Sequence, residues 1–268
     1  MNRPDPTDRV RELMSRIQEG PWGLFVDIDG TIAEITAIPD EATVRPECRE
    51  TLDSLTLQLA AVVVLSGRDL RTARRMVALE TVTYFTNHGI ERWEDEAYTV
   101  TPEVQPYLER LQEATKRLKE RLDMSVYTWE DKGVGLSIHY RTAPDPEQAR
   151  DAALALLDEL GISSWMDVRE GKMLLDLRLP VSASKGTAVE TIIQERGLRG
   201  ALLMGDDITD LDGFRAARRM EERGAFTSVN VAVLSDGTPD EVTREAAYHL
   251  DSVPAVERFL QWLSKELG

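Results

Sequence analysis

Three short apolar runs in this chain each stop at a polar residue, and each is separated from the next by a helical pattern. Leu24-Phe-Val-Asp-Ile-Asp29 ends in two carboxylates followed by Gly30-Thr31, Ala60-Ala-Val-Val-Val-Leu65 ends at Ser66, and Ala201-Leu-Leu-Met204 ends at Gly205-Asp206-Asp207. Runs without polar alternation read as strands covered on both faces, and such strands belong to parallel sheets. The helices between them run from Pro46 to about Gln58, from about Asp69 onward, and from Lys185 to Glu195. With a further strand at Val82 to Thr86, the rhythm is βαβαβ, and it predicts an α/β fold with a Rossmannoid parallel-sheet core. The strand at Phe226 to Val233 and the helix from Pro254 to Leu263 extend it.

The middle of the chain breaks this rhythm. Leu108, Leu111, Ala114, Leu118 and Leu122 recur at helical spacing. Strands are then predicted at Met124–Trp129 and Gly133–Tyr140, a helix over Pro146–Leu160, and strands at Trp165–Arg169 and Met173–Arg178. This is an α+β unit with an antiparallel sheet inserted into the core. The expected boundaries are 1–100 and 182–268 for the core and 101–181 for the insertion.

Composition narrows the function. Lys and Arg total 32 against 48 Asp and Glu, a formal charge of −16. Such a surface repels nucleic acid and anionic bilayers. One cysteine, Cys48, and three histidines leave little for a disulfide or a zinc site. The first residues carry early Arg and Asp with no apolar stretch behind them, so a secretory signal and a membrane span are not expected, and the expected location is cytoplasmic.

Carboxylates crowded at one sheet edge repel unless a cation sits among them, and oxygen-only ligands suit Mg2+. Ligands of open α/β sheets bind beyond the carboxyl ends of the strands. Asp27 is therefore the candidate nucleophile and Asp29 the candidate acid/base. Ser66, Lys185 and the backbone around Gly30 and Gly67 are the candidate phosphate-binding groups.

Asp27-Ile-Asp29-Gly30-Thr31, Ser66, Lys185 and Gly205-Asp206-Asp207 with Asp210 occur in the order of four motifs, and they resemble the haloacid-dehalogenase-like phosphohydrolases. The resemblance implies Mg2+ held by Asp27, the Asp29 carbonyl and Asp206, with Asp207 and Asp210 in support. Only 39 residues separate Asp27 from Ser66, against 119 from Ser66 to Lys185. The insertion is thus similar to caps placed after the second motif. Ser66-Gly67-Arg68, Asn87-His88-Gly89, Glu130-Asp-Lys132 and His139-Tyr140-Arg141 resemble trehalose-6-phosphate phosphatases. That resemblance implies sugar-phosphate binding by Arg68, Asn87, His88, Glu130, Lys132, Arg141 and Asp176, and functional coupling to a trehalose-6-phosphate synthase.

The chain departs from the pattern at three places. Asp176 stands where these enzymes usually have Glu, Leu179 precedes Pro180, and Leu211 stands where Glu is frequent. Phosphatases of other sugar phosphates (sucrose phosphate, glucosylglycerol-type phosphate, mannosyl-3-phosphoglycerate) and a non-catalytic regulatory domain are the alternative readings. His139 is expected to be structural.

Overall fold

The computed structural model describes residues 4–36, 41–171, 173–235 and 237–268. The chain divides into two compact units, Met1–Thr99 with Ala183–Gly268, and Val100–Ser182.

The first unit begins with helix α1 (Pro6–Glu19), capped by the Asp5 carboxylate accepting from the Thr7 N–H. Strands β1 (Trp22–Asp27), β2 (Ala61–Leu65) and β3 (Thr83–Thr86) alternate with α2 (Pro46–Thr56) and α3 (Leu70–Val77). A hairpin of β4 (Glu91–Glu94) and β5 (Ala97–Val100) follows. After the second unit, α6 (Lys185–Glu195), β10 (Gly200–Gly205), α7 (Asp210–Glu222), β11 (Thr227–Val233), α8 (Asp240–Glu245), β12 (Tyr248–Leu250) and α9 (Val253–Leu267) complete it.

These strands form one sheet in the order β12-β11-β10-β1-β2-β3-β4-β5. Every pair from β12 to β3 is parallel, and β3 with β4 is antiparallel. All six residues of β1 are buried. Leu24 and Val26 join one apolar cluster and Phe25 the cluster on the opposite face. The uninterrupted apolar run is therefore a strand covered on both sides.

The second unit holds α4 (Leu108–Arg121), β6 (Thr128–Asp131), β7 (Gly135–His139), α5 (Pro146–Glu159), β8 (Asp167–Gly171) and β9 (Leu174–Arg178). Its sheet order is β6-β7-β9-β8, and all neighbours are antiparallel. Leu136, Ile138, Leu175 and Leu177 are buried, so alternate residues of β7 and β9 form the inner face.

Several boundaries differ from expectation. No strand begins at Met124. Ser125 donates its N–H and its hydroxyl to the Asp123 carboxylate, and this turn delays β6 to Thr128. The strand expected from Trp165 begins at Asp167, because Trp165 and Met166 close turns onto the Ile162 carbonyl. The hairpin β4–β5 gives no usual sequence signal. Its turn residues Asp95 and Glu96 sit at φ 48° and 63°, where Asn-Gly or Asp-Gly would be typical.

Candidate active site

The order β10-β1-β2 places the reversal of strand order beside β1, with β2 and β3 added on one side and β10 to β12 on the other. In sheets of this kind the crevice at such a reversal is where ligands bind. Asp27 is the last residue of β1, Asp206 follows β10, and Ser66 follows β2. The parallel registers Val26↔Met204 and Asp27↔Leu65 bring the three strand ends level.

Lys185 opens α6, whose N-terminus is fixed by a capping box between Ser184 and Thr187. Its ammonium donates to Asp27 Oδ1 and to Asp210 Oδ1, each at 2.7 Å. Lys185 is 2% exposed, and Asp27 and Asp210 are 6% and 5% exposed. Asp210 Oδ2 accepts from the N–H groups of Asp206 and Asp207, both at 3.0 Å. Asp210 thus clasps the turn that carries Asp206, and both its oxygens are engaged.

Oxygens of Asp27, Asp206 and Asp210 lie within 4.8 Å of one another. Burial, opposed by Lys185 and reinforced by Asp210, Asp206 and Asp29, holds Asp27 well above the usual carboxylate range. Burial and Asp210 push Asp206 up to about 7 against the pull of Lys185. For Lys185 burial acts downward, and Asp210 and Asp27 outweigh it and raise the ammonium above its ordinary value. Three buried acids share one cation. Asp206 Oδ1 is buried with no hydrogen-bond partner. An orphaned carboxylate oxygen among acids with too little positive charge fits a hard divalent cation. Asp27 and Asp206 offer free ligand capacity, whereas the Asp210 oxygens are taken.

Gly30 sits at φ +80°, and a Cβ there would lie 2.2 Å from Asp206 Oδ2. Only glycine lets this loop approach the acid so closely. Asp29 is half-buried, and the Arg68 guanidinium grips it with two hydrogen bonds of 2.7 Å. Ser66 is buried, and its hydroxyl oxygen accepts from the Arg68 N–H. A Cβ on Gly67 would meet the His88 ring at 2.5 Å, so His88 packs over this loop. Asn87 is buried, with its amide donating to Glu91. Asp207 is exposed, and its backbone rather than its carboxylate faces Asp210.

The second unit collects its own polar face. The registers Glu130↔Ser137↔Asp176↔Arg169 set these four side by side across the sheet. Asp176 Oδ1 accepts from Lys132 Nζ at 3.1 Å and from Ser137 Oγ at 2.9 Å. Its Oδ2 accepts from Arg178 Nε at 2.6 Å. His139 Nε2 lies 3.5 Å from the Glu130 carboxylate. Arg141 follows β7 and is exposed. Neither Ser137 nor Arg178 stands out in the sequence as an Asp176 partner; strand register pairs Ser137 with Asp176, and Arg178, two residues along the same strand, shares its face.

The trehalose-phosphatase family profile matches residues 25–253. A protein of Sinorhizobium fredii described as a probable trehalose-phosphate phosphatase is 30% identical over 207 residues, which span 74% of this chain and 75% of that protein. A trehalose-phosphate phosphatase of Mycobacterium avium is 32% identical over 257 residues, 91% of this chain but 62% of its own length. An uncharacterized glycosyl hydrolase of Mycobacterium tuberculosis aligns with 98% of this chain, yet the match spans only a fifth of it. Among solved structures, the C-terminal domain of a trehalose-6-phosphate phosphatase from C. albicans superposes with a TM-score of 0.73 at 20% identity, covering 98% of both chains. A haloacid dehalogenase-like hydrolase from Bacteroides thetaiotaomicron gives 0.62 at 15% identity over 91% of this chain and 99% of its own. These structures share the fold. The profile match over most of the chain, on a haloacid-dehalogenase-like fold with the acids at its strand ends, places this protein in the trehalose-phosphatase family of phosphate-monoester hydrolases.

Proposed function

We propose that this chain is a Mg2+-dependent phosphatase that hydrolyses trehalose 6-phosphate to trehalose and phosphate. The observation that carries the reading is the buried group of Asp27, Asp206 and Asp210 around Lys185 at the switch point of the sheet. In this reading residues 1–100 and 182–268 carry the chemistry, and residues 101–181 carry the sugar recognition.

Asp27, Asp206 and the Asp29 carbonyl would hold the ion, with Asp210 and Asp207 in support. Bound there, Mg2+ supplies positive charge against the phosphoryl oxygens. An Asp27 carboxylate oxygen attacks phosphorus, and the bond from phosphorus to the sugar oxygen breaks. The Asp29 carboxylic acid gives its proton to that leaving oxygen, which departs as trehalose. The Asp29 carboxylate then takes a proton from water as the water oxygen attacks the aspartyl phosphate, releasing phosphate and restoring Asp27. Ser66, Lys185 and the backbone N–H groups of the loops at Gly30 and Gly67 bind the phosphoryl oxygens. Glu130, Lys132, Arg141 and Asp176 bind the sugar, and Arg68, Asn87 and His88 bind the substrate from the first unit. Charged groups discriminate hydroxyl patterns well, because an unmatched partner leaves a desolvated charge.

The test is phosphate release from a panel of sugar phosphates, with Mg2+ and with chelator. A strong preference for trehalose 6-phosphate that disappears with chelator supports the reading; equal turnover of the whole panel would refute it. Asp176, one methylene shorter than the usual Glu, favours the second reading of a different disaccharide or glycosyl phosphate, which the same panel would reveal.

A further inference from the structure

Glu91 opens β4 and is buried, with 6% of its surface exposed. The chemistry above gives it no role. Its Oε2 nevertheless accepts three hydrogen bonds: from the Leu70 N–H at 3.2 Å, the Thr86 hydroxyl at 2.8 Å and the Asn87 side-chain amide at 2.7 Å. Its Oε1 accepts from the Tyr98 hydroxyl at 2.9 Å.

The donors frame the loops at the phosphate-binding end of the sheet. Leu70 begins α3 directly behind Ser66-Gly67-Arg68, and Thr86 and Asn87 lead into His88-Gly89. Asn87, His88 and Gly89 stand at φ 47°, 59° and 98°, three left-handed residues in succession. Side chains make that conformation costly for the first two, so it persists only where the surroundings enforce it. The loop is also tied across to its neighbour. The Asn87 N–H donates to the Arg68 carbonyl at 2.9 Å, and the His88 N–H to the Ser66 carbonyl at 3.0 Å. Arg68 in turn holds both oxygens of Asp29.

We infer that Glu91 is a positioning residue: it locks the 87–89 loop onto the 66–68 loop and thereby holds Arg68 against Asp29. The inference rests on Asp29 being the acid/base. All four partners of Glu91 are donors, so the position needs acceptors. Gln keeps a carbonyl oxygen for the three inner donors, and its amide can donate to the Tyr98 oxygen, because a hydroxyl works in either sense. Ala leaves three inner donors without their acceptor.

The experiment compares wild type, E91A, E91Q, T86V and D29N on the sugar phosphate that the wild type turns over fastest. Thermal unfolding sets the folded fraction of each. For E91A, kcat per folded enzyme is expected to fall about 10- to 100-fold, the scale of an ångström-size misplacement of a reacting group. E91Q is expected to recover kcat to within about threefold of wild type, and T86V, which removes one donor, to lie between. A lower unfolding midpoint with unchanged kcat per folded enzyme in E91A and T86V would show a purely structural role and overturn the inference. So would an E91Q as impaired as E91A. If E91A does not fold, T86V decides in the same way. Retained turnover in D29N would refute the acid/base reading itself, whereas an inactive D29N beside a fully active E91A overturns the Glu91 inference alone.

Discussion

The two units each place a lysine among carboxylates, and they do so in different surroundings. In the first unit Lys185 bridges Asp27 and Asp210, and all three are almost wholly buried. In the second, Lys132 pairs with Asp176 at 3.1 Å, both side chains 11% exposed, beside a Glu130 whose side chain is 37% exposed. Buried charges are poorly screened, so each depends on its partner and the geometry is stiff. The Lys132–Asp176 pair is itself largely covered, and it is the half-exposed Glu130 beside it that is held by smaller energies and can exchange a protein partner for a ligand hydroxyl. The first arrangement suits a reaction in which atoms must stay in place. The second suits recognition that forms and releases.

Five substitutions test this contrast. The largest effect is expected from D27N, which keeps the shape of the buried site and removes the nucleophile. Turnover should drop at least about a thousandfold, read by phosphate release; substantial residual turnover would place the nucleophile elsewhere. Next is K185M, which leaves Asp27 and Asp210 facing each other without their cation. Denaturant unfolding should show a loss of about 3–5 kcal/mol, the usual result of stranding a buried charge. A stability close to wild type would mean that water already reaches the pair.

In the second unit D176A and E130A should lower kcat/KM for the preferred sugar phosphate about 100-fold, and p-nitrophenyl phosphate hydrolysis much less. Equal losses on both substrates would contradict a recognition role.

The smallest effect concerns a network at the margin of the first unit. Burial pushes Glu94 upward, but hydrogen bonds from Thr83, Arg196 and Arg92 outweigh it and hold the carboxyl below its ordinary value. A carboxyl lowered on folding stabilises above its unfolded value, near pH 4.3, and that contribution is lost as pH falls through the folded value. E94Q should therefore cost under about 1 kcal/mol at pH 7. Its difference from wild type should shrink as pH falls below about 4. A difference independent of pH would show that charge is not what matters there.

Much of the first unit could be read from the chain alone. An apolar run ending in acid specifies a buried strand with a polar carboxyl end, and Lys185 to Glu195 coincides with α6 because Ser184 and Thr187 form its cap. The polar face of the second unit was legible less fully. Glu130, Lys132 and Asp176 stood out by motif, but their partners Ser137, His139 and Arg178 follow from strand register. Strand boundaries near Met124 and Trp165 moved because local turns outcompeted β-propensity.

The alternation of strands and helices, the insertion between Ser66 and Lys185, and the identity of the acids at the strand ends are all written in the amino-acid order. Those are properties of local pattern, period and residue chemistry. Which charges meet follows from the folded arrangement alone. Lys185 lies 158 residues from Asp27 and 25 from Asp210, yet it touches both. Asp210 spends both oxygens on Lys185 and the 205–207 turn, which leaves the Asp206 oxygen as the orphan. Glu91, without any motif of its own, collects donors from three segments. Hydrogen bonds and ion pairs act over a few ångströms of space, and proximity in space between distant residues is set by how the sheet orders its strands.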